Sequence, residues 1–217
     1  MKPFILQSLS ELAAQRPPHG QEIVHFTESL AEAVIEEYSD PGDLVLDPFA
    51  GFGTTLVVAE RLGRRALGVE LLPERVDQIR ERLAIPESIV SGDARKLDQL
   101  LTEQVALCLT SPPYMTVNDH PENPLEAYQT DTGDYPTYLR EIGEVFGHVA
   151  RSLRPGGYAV INVANIVSDQ VLTPLAWDVA RIVAKHLTLR QESFLCWDRQ
   201  PSGISGDYCM VFQQDDG

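Results

Sequence analysis

Short apolar runs alternate with helix-length segments through most of this chain, and each run stops on a polar or glycine-rich turn. Leu44-Val45-Leu46 ends at Asp47-Pro48-Phe49-Ala50-Gly51-Phe52-Gly53, and Ala66 to Val69 ends at Glu70. Ser88-Ile89-Val90 ends at Gly92-Asp93, and Val105 to Leu109 ends at Thr110-Ser111-Pro112-Pro113-Tyr114. Uninterrupted apolar strands separated by helices imply a mainly parallel sheet covered on both faces. Two further runs, Ser193 to Trp197 and Asp207 to Phe212, flank a turn rich in glycine, serine and proline and read as an antiparallel hairpin. The expected fold is therefore α/β, a Rossmann-like sheet with helices on both faces and a C-terminal hairpin. Ligands in such sheets bind outside the carboxyl ends of the strands, so the turn residues above should converge on one edge.

The intervening helices follow from apolar spacing. Thr27 to Tyr38 places Leu30, Val34, Ile35 and Tyr38 on one face. A helix from Thr54 stops at Gly63, and Pro73 opens one that continues to Leu83. Thr137 to Leu153 and Pro174 to His186 complete the set, with a turn at Arg154–Gly157 and a strand at Tyr158–Val163 between them. The 217 residues suit a single α/β domain. Residues 1–24, broken at Pro17-Pro18-His19-Gly20, read as an irregular lead-in, and 25–217 as the domain. Residues 115–136 form a long polar loop, and its stretch Val117–Pro136, with few apolar anchors, is expected to be mobile and to close over a target.

Three constellations carry chemistry. In the first, glycines at the Asp47–Thr55 turn permit close approach of a ligand or close packing of helix on strand. The pattern lacks the third glycine of a dinucleotide fold and the Gly-Lys-Ser/Thr of a phosphate loop. An acid ahead of the turn suits a cationic group such as an amino-acid ammonium. In the second, Glu70 lies 19 residues beyond Gly51, where a carboxylate can take both hydroxyls of an adenosine ribose. Asp93 reads equally as an adenine-amine acceptor or an ordinary turn aspartate. In the third, the prolines of Ser111-Pro112-Pro113-Tyr114 donate no amide hydrogens, so nearby carbonyls stay free as acceptors. With the Ser111 hydroxyl they could hold both hydrogens of an exocyclic amine, while Tyr114 stacks a base taken out of its helix.

Residues 47–70 resemble the cofactor half of the DNA amino-methyltransferases, the family acting on cytosine N4 and adenine N6, and Thr110–Tyr114 resembles its catalytic motif. His25-Phe26-Thr27 is similar to the family's His-Pro-Thr segment, with phenylalanine in place of proline, and Arg151–Gly157 matches a family turn. The resemblance implies S-adenosyl-L-methionine as cofactor, held by His25, Phe26, Thr27, Asp47, Pro48, Phe49, Ala50, Gly51, Gly53, Thr54, Thr55, Glu70 and Asp93. It implies catalysis by Ser111, Pro112, Pro113 and Tyr114, with no metal. The Ser-Pro-Pro-Tyr form is the usual one of cytosine N4 enzymes, so the expected reaction is transfer of methyl to N4 of cytosine in DNA. Adenine N6, an RNA amine, a protein amide, or service as a cofactor-binding subunit are the alternatives. The cofactor motif precedes the catalytic motif, a permuted order relative to many cytosine N4 members, and no separate target-recognition domain is evident.

A net charge of -15 sits awkwardly with a nucleic-acid substrate. Either it only serves solubility, or it calls for a local basic cleft, a protein partner or second copy that supplies target recognition, or a substrate other than duplex DNA. The three scattered cysteines suit a reducing compartment. With no apolar run of membrane-spanning length and no signal peptide, the expected location is the cytoplasm.

Overall fold

The computed structural model describes residues 1–15, 26–118, 122–131 and 133–215. Its strands are β1 (Phe4–Gln7), β2 (Leu44–Asp47), β3 (Arg65–Glu70), β4 (Ile89–Ser91), β5 (Val105–Thr110), β6 (Leu153–Ser168), β7 (Val171–Thr173), β8 (Thr188–Trp197) and β9 (Ile204–Gln213). The helices are α1 (Leu9–Ala14), α2 (Glu28–Tyr38), α3 (Thr54–Arg61), α4 (Pro73–Arg80), α5 (Tyr135–Ser152) and α6 (Leu175–Val183).

The sheet runs β1-β8-β9-β6-β5-β2-β3-β4, with β7 paired to β6. Five of the eight pairings are parallel, and β8–β9 is the expected antiparallel hairpin. Alternation along each strand divides the core. Leu44 and Leu46 of β2 meet Ile142, Phe146 and Val149 of α5 and Val179 of α6 on one face. Val45 turns to the other face, with Leu30 and Val34 of α2 and Val58 of α3. A third cluster packs Leu56 of α3 on Val76 and Ile79 of α4. The strands therefore cannot slip by one residue without exchanging the two cores.

Three expectations need correction. The lead-in is not irregular where it is described. Phe4–Gln7 adds a parallel edge strand, its Gln7 in register with Trp197, and Leu9–Ala14 is helical. A strand that short gains its stability from a partner nearly 200 residues away, which no local pattern reveals. The break at Pro17–Gly20 lies outside the described residues. The Arg154–Gly157 turn does not separate helix from strand, because β6 starts at Leu153 and takes up the extra residues as an irregularity against β5. Nor does the 115–136 loop lack apolar anchors: Met115, Leu125 and Tyr135 are buried in the core on the α5 side.

Candidate active site

The turn after β2 is built by its own polar groups. Asp47, only 3% exposed, accepts the Phe49 amide at 3.1 Å and the Thr110 hydroxyl at 2.6 Å, so one carboxylate clasps the ends of β2 and β5. Burial pushes its pKa up to about 6, against the opposing pull of those hydrogen bonds. Gly51, at φ 57°, directs its amide to Glu70 Oε2 at 3.0 Å. Glu70 Oε1 accepts the Leu72 amide at 2.9 Å. Burial raises the Glu70 carboxyl above its ordinary value, opposed by these amides and by the Arg75 charge. Arg75 in turn lies over the Phe52 ring, 5.3 Å from its centroid.

Gly53 has a different task. Its φ is 80°, and a Cβ there would come within 2.8 Å of the Ile79 side chain. It is glycine because α3 begins in a left-handed residue and α4 packs against it.

Beyond β4, Asp93 caps the following turn through the Arg95 amide at 2.9 Å and grips the Arg95 guanidinium at 2.8–3.1 Å. Burial would raise its pKa, but Arg95 outweighs that and holds the carboxyl below the usual range. Arg95 also reaches Glu126 of the loop and Glu141 of α5, so it joins the strand end to both.

After β5, the Ser111–Tyr114 tetrapeptide is held from outside. The Tyr138 hydroxyl donates to the Pro113 carbonyl at 2.9 Å and the Tyr128 hydroxyl to the Tyr114 carbonyl at 2.8 Å. Ser111 Oγ lies 3.4 Å from the Tyr114 hydroxyl. Burial and the nearby Asp207 charge raise the Tyr114 phenol, keeping it neutral.

One cleft of about 230 Å³ joins these parts. Its walls include Pro48, Phe49, Gly51, Glu70, Asp93 and all of Ser111–Tyr114, with Phe52, Leu72, Arg75, Arg95, Leu125 and Tyr128 alongside. The convergence expected from strand ends is therefore present for nine of the proposed site residues.

The others lie elsewhere. Asp47, Ala50, Gly53, Thr54 and Thr55 are not among the lining residues. Asp47 is sealed beneath the turn rather than presented to a ligand ammonium, and Thr55 donates to the Leu109 carbonyl at 3.3 Å inside the sheet contact. Phe26 belongs to the core on the α2 side. Thr27 caps α2 through Leu30 and donates to Gln7 of β1 at 2.6 Å, a structural duty. His25 lies outside the described residues. Arg75, Arg95, Tyr128 and Tyr138 went unnoticed in the sequence. Arg95 had a local signal, two residues past Asp93; the tyrosines had none.

The nucleoside part of S-adenosylmethionine fits what is present. Both Glu70 oxygens are oriented by single amides and retain capacity for hydroxyl donors. Phe49, Phe52, Leu71 and Leu72 offer an apolar bed beside them. Among the described residues, no group of three or more His, Cys, Asp or Glu side chains could hold a metal ion, and no helix is long and apolar enough to cross a membrane.

Comparison with known proteins agrees with this geometry. Residues 14–81 match the DNA methylase family model for N6 and N4 enzymes. The chain is 48% identical over 56 residues to the type II methyltransferase M2.DpnII of Streptococcus pneumoniae, covering 26% of this chain and 21% of that protein. It is 38% identical over 72 residues to the putative methylase YubD of Escherichia coli, covering 33% of this chain and 32% of that one. The matched parts thus span between a fifth and a third of those relatives. Among solved structures, TrmN from Thermus thermophilus superposes with a TM-score of 0.60 at 19% identity, over 94% of this chain and 52% of that one. A TehB-like S-adenosylmethionine-dependent methyltransferase from Corynebacterium glutamicum gives 0.58 at 18% identity, over 95% and 93%. Residues 14–81 thus resemble the DNA amino-methyltransferases of the N4-cytosine and N6-adenine family, and the chain has the fold of the S-adenosylmethionine-dependent methyltransferases.

Proposed function

We propose that this chain transfers a methyl group from S-adenosylmethionine to an exocyclic amine of a nucleobase, with N4 of cytosine in DNA as the favoured target. The observation that carries the reading is the single cleft lined by both Glu70 and Ser111–Tyr114. Residues 25–217, with β1 added to the same sheet, act as one methyltransferase domain. Glu70 takes the ribose hydroxyls, and the side chains around Phe49, Phe52 and Leu72 flank the adenine. Bound S-adenosylmethionine supplies an electrophilic methyl group on its sulfonium.

The chain's own residues do the rest. Ser111 Oγ and the Pro112 carbonyl accept the two amine hydrogens, which turns the nitrogen lone pair out of conjugation with the ring. The nitrogen gains the methyl group and loses one proton to water, since serine is no strong base. Tyr114, neutral and held at its hydroxyl and carbonyl, supports the ring. Positioning of this kind accounts for most of the acceleration. A cysteine nucleophile has no part: Cys108 and Cys209 are buried, their thiols pushed well above the ordinary value by that burial, and no cysteine lines the cleft.

The acidity of the chain supports a partner or second copy that contributes backbone contacts. The test is single-turnover transfer of labelled methyl to cytosine-only and adenine-only single strands, which avoids the cost of extracting a base from a duplex. Cytosine should be methylated, and Ser111→Ala should lower the rate about ten- to a hundredfold with cofactor affinity unchanged. Preference for adenine would reject the cytosine assignment. Transfer to RNA or protein alone would reject DNA.

A further inference from the structure

Acidic side chains outnumber Lys and Arg in this chain, 32 to 17. A surface cation should therefore find a carboxylate easily, and most described arginines do. Arg61 pairs with Glu28, Arg95 with Asp93, Arg154 with Asp43 and Arg190 with Asp215. Arg140, Arg151 and Lys185 do not. All three are exposed and line one groove of about 630 Å³, between α5 and the end of α6. Among the described residues none of the three joins an ion pair.

Packing accounts for the floor of this groove. A Cβ on Gly143 would come within 2.9 Å of the Ile182 side chain, so glycine there lets α6 approach α5. Packing does not account for the rim. Arg151 sits in the last turn of α5, where the helix dipole favours a cation, but Arg140 lies in the second turn and has no such reason. Glu144 is the one carboxylate among the lining residues. His148 accepts from Arg151 at 2.8 Å and lies 3.7 Å from Asp98, which leaves the three cations to set the charge of the rim.

The groove opens close to the tetrapeptide. Pro136, Leu139 and Arg140 line it from the first turns of α5, and Tyr138 in those turns donates to the Pro113 carbonyl at 2.9 Å. From Arg140 to Arg151 is about 16 Å of helix axis, at about 1.5 Å per residue. Cations spread over that length fit a row of phosphates, whereas a small anion would need them gathered at one point.

We propose that the α5–α6 groove binds the sugar-phosphate backbone of the nucleic-acid strand whose base reaches Ser111–Tyr114, through Arg140, Arg151 and Lys185. This rests on the reading of the cleft as a nucleobase amino-methyltransferase site. A second copy of this chain fits the groove less well, because its net charge of -15 would be repelled elsewhere on the surface. Phosphate contacts position a strand without reading its sequence, so the groove supplies affinity and orientation only.

The experiment measures binding of a labelled single-stranded oligonucleotide across a salt series for wild type, Arg140→Gln, Arg151→Gln, Lys185→Gln and the triple variant. Each single variant should lower the slope of log affinity against log salt by about 0.7 and weaken binding about fivefold at about 0.1 M salt, whatever the sequence of the strand. The triple variant should lose about a hundredfold. Glu144→Gln should tighten binding about threefold by removing the opposing charge. Lys2→Gln, an exposed cation outside the groove, controls for net charge and should leave the slope unchanged. S-adenosylmethionine affinity by calorimetry should be preserved in all, which reports that they fold. An unchanged slope in the triple variant overturns the proposal, and so does an equal loss in Lys2→Gln. If the triple variant keeps its slope but loses self-association by sedimentation, the groove holds a second copy instead. If wild type methylates no nucleic acid, the underlying reading fails with the proposal; if it methylates a strand and the triple variant binds that strand as well, only the groove assignment fails.

Discussion

The two walls of the cleft are made in opposite ways. On the cofactor side, Asp47 to Leu72 supplies nearly everything: Phe49 bonds Asp47, Gly51 bonds Glu70 and Leu72 bonds Glu70, all within one strand-helix-strand unit. On the side proposed for the target, the stretch from Ser111 to Val117 is held by residues from three later segments. Tyr128 reaches Tyr114, Tyr138 reaches Pro113, and the Val117 amide donates to Thr173 Oγ1 from beyond β6. Arg95 then ties the loop and α5 back to β4. A wall made of local turns depends on a few backbone positions and can be carried as a short sequence motif. A wall made of distant contacts can exchange those contacts while keeping its four central residues. The match to the DNA methylase family model, residues 14–81, includes the first wall and stops short of the second.

Glu70→Ala tests the first wall with the largest expected effect. Loss of hydrogen bonds to a charged group should weaken S-adenosylmethionine binding by about 1.5–3 kcal/mol. The substitution also frees the Gly51 and Leu72 amides, so the whole turn should loosen. Transfer at saturating cofactor should suffer less, because the target wall does not touch Glu70. Unchanged affinity by calorimetry would remove Glu70 from the cofactor site.

The same contrast explains what was legible from sequence. Strand ends, the helix stop at Gly63, Glu70 and the Ser-Pro-Pro-Tyr turn all carry local signals, and each lies within about a residue of where its pattern put it. Gly53 was ambiguous because one left-handed glycine serves a ligand or a neighbouring helix equally well; only Ile79, 26 residues on, decides for packing. Asp47 looked like a ligand group because an acid before a glycine-rich turn gives no sign of the Thr110 hydroxyl that covers it. The loop looked free because polar residues dominate its composition, whereas its anchors, Met115 and Leu125, are single apolar residues that find the core only in three dimensions.

Asp47→Asn sharpens the comparison on the buried side. The folded pKa of about 6 exceeds the ordinary 3.8, so the folded state holds its proton more tightly than the unfolded chain. That contribution to stability is fully present below about pH 4 and is lost as pH rises through about 6, a swing of about 3 kcal/mol. Asparagine keeps an acceptor for Thr110 and Phe49 and carries no charge. The variant's urea midpoint, relative to wild type, should therefore rise between pH 4 and pH 7. A relative fall over that interval would mean that the charged form is stabilised where it sits, and would restore Asp47 as partner of a cation.

The smallest expected effect comes from Tyr138→Phe, and it bears most directly on how the target wall is held. Tyr138 is 1% exposed, lies in the first turns of α5 after the Asp134 cap, and hydrogen-bonds the tetrapeptide at the Pro113 carbonyl. Phenylalanine fills the same space and removes one donor. The expected loss of stability is about 1 kcal/mol, seen as a fall of about 2–4 °C in Tm for a chain of this size. Cofactor affinity should not move, since Glu70 and the β2–α3 turn have no contact with this hydroxyl. Transfer should fall only a few fold, because Pro113 is one peptide away from the carbonyl that accepts the amine, and proline stiffness limits how far a released carbonyl can carry its neighbour. A loss as large as that of Ser111→Ala would show instead that the distant contacts set the geometry of the reacting groups directly. No change in either stability or rate would mean that the tetrapeptide holds its own shape, and that the two walls differ less than their hydrogen bonds suggest.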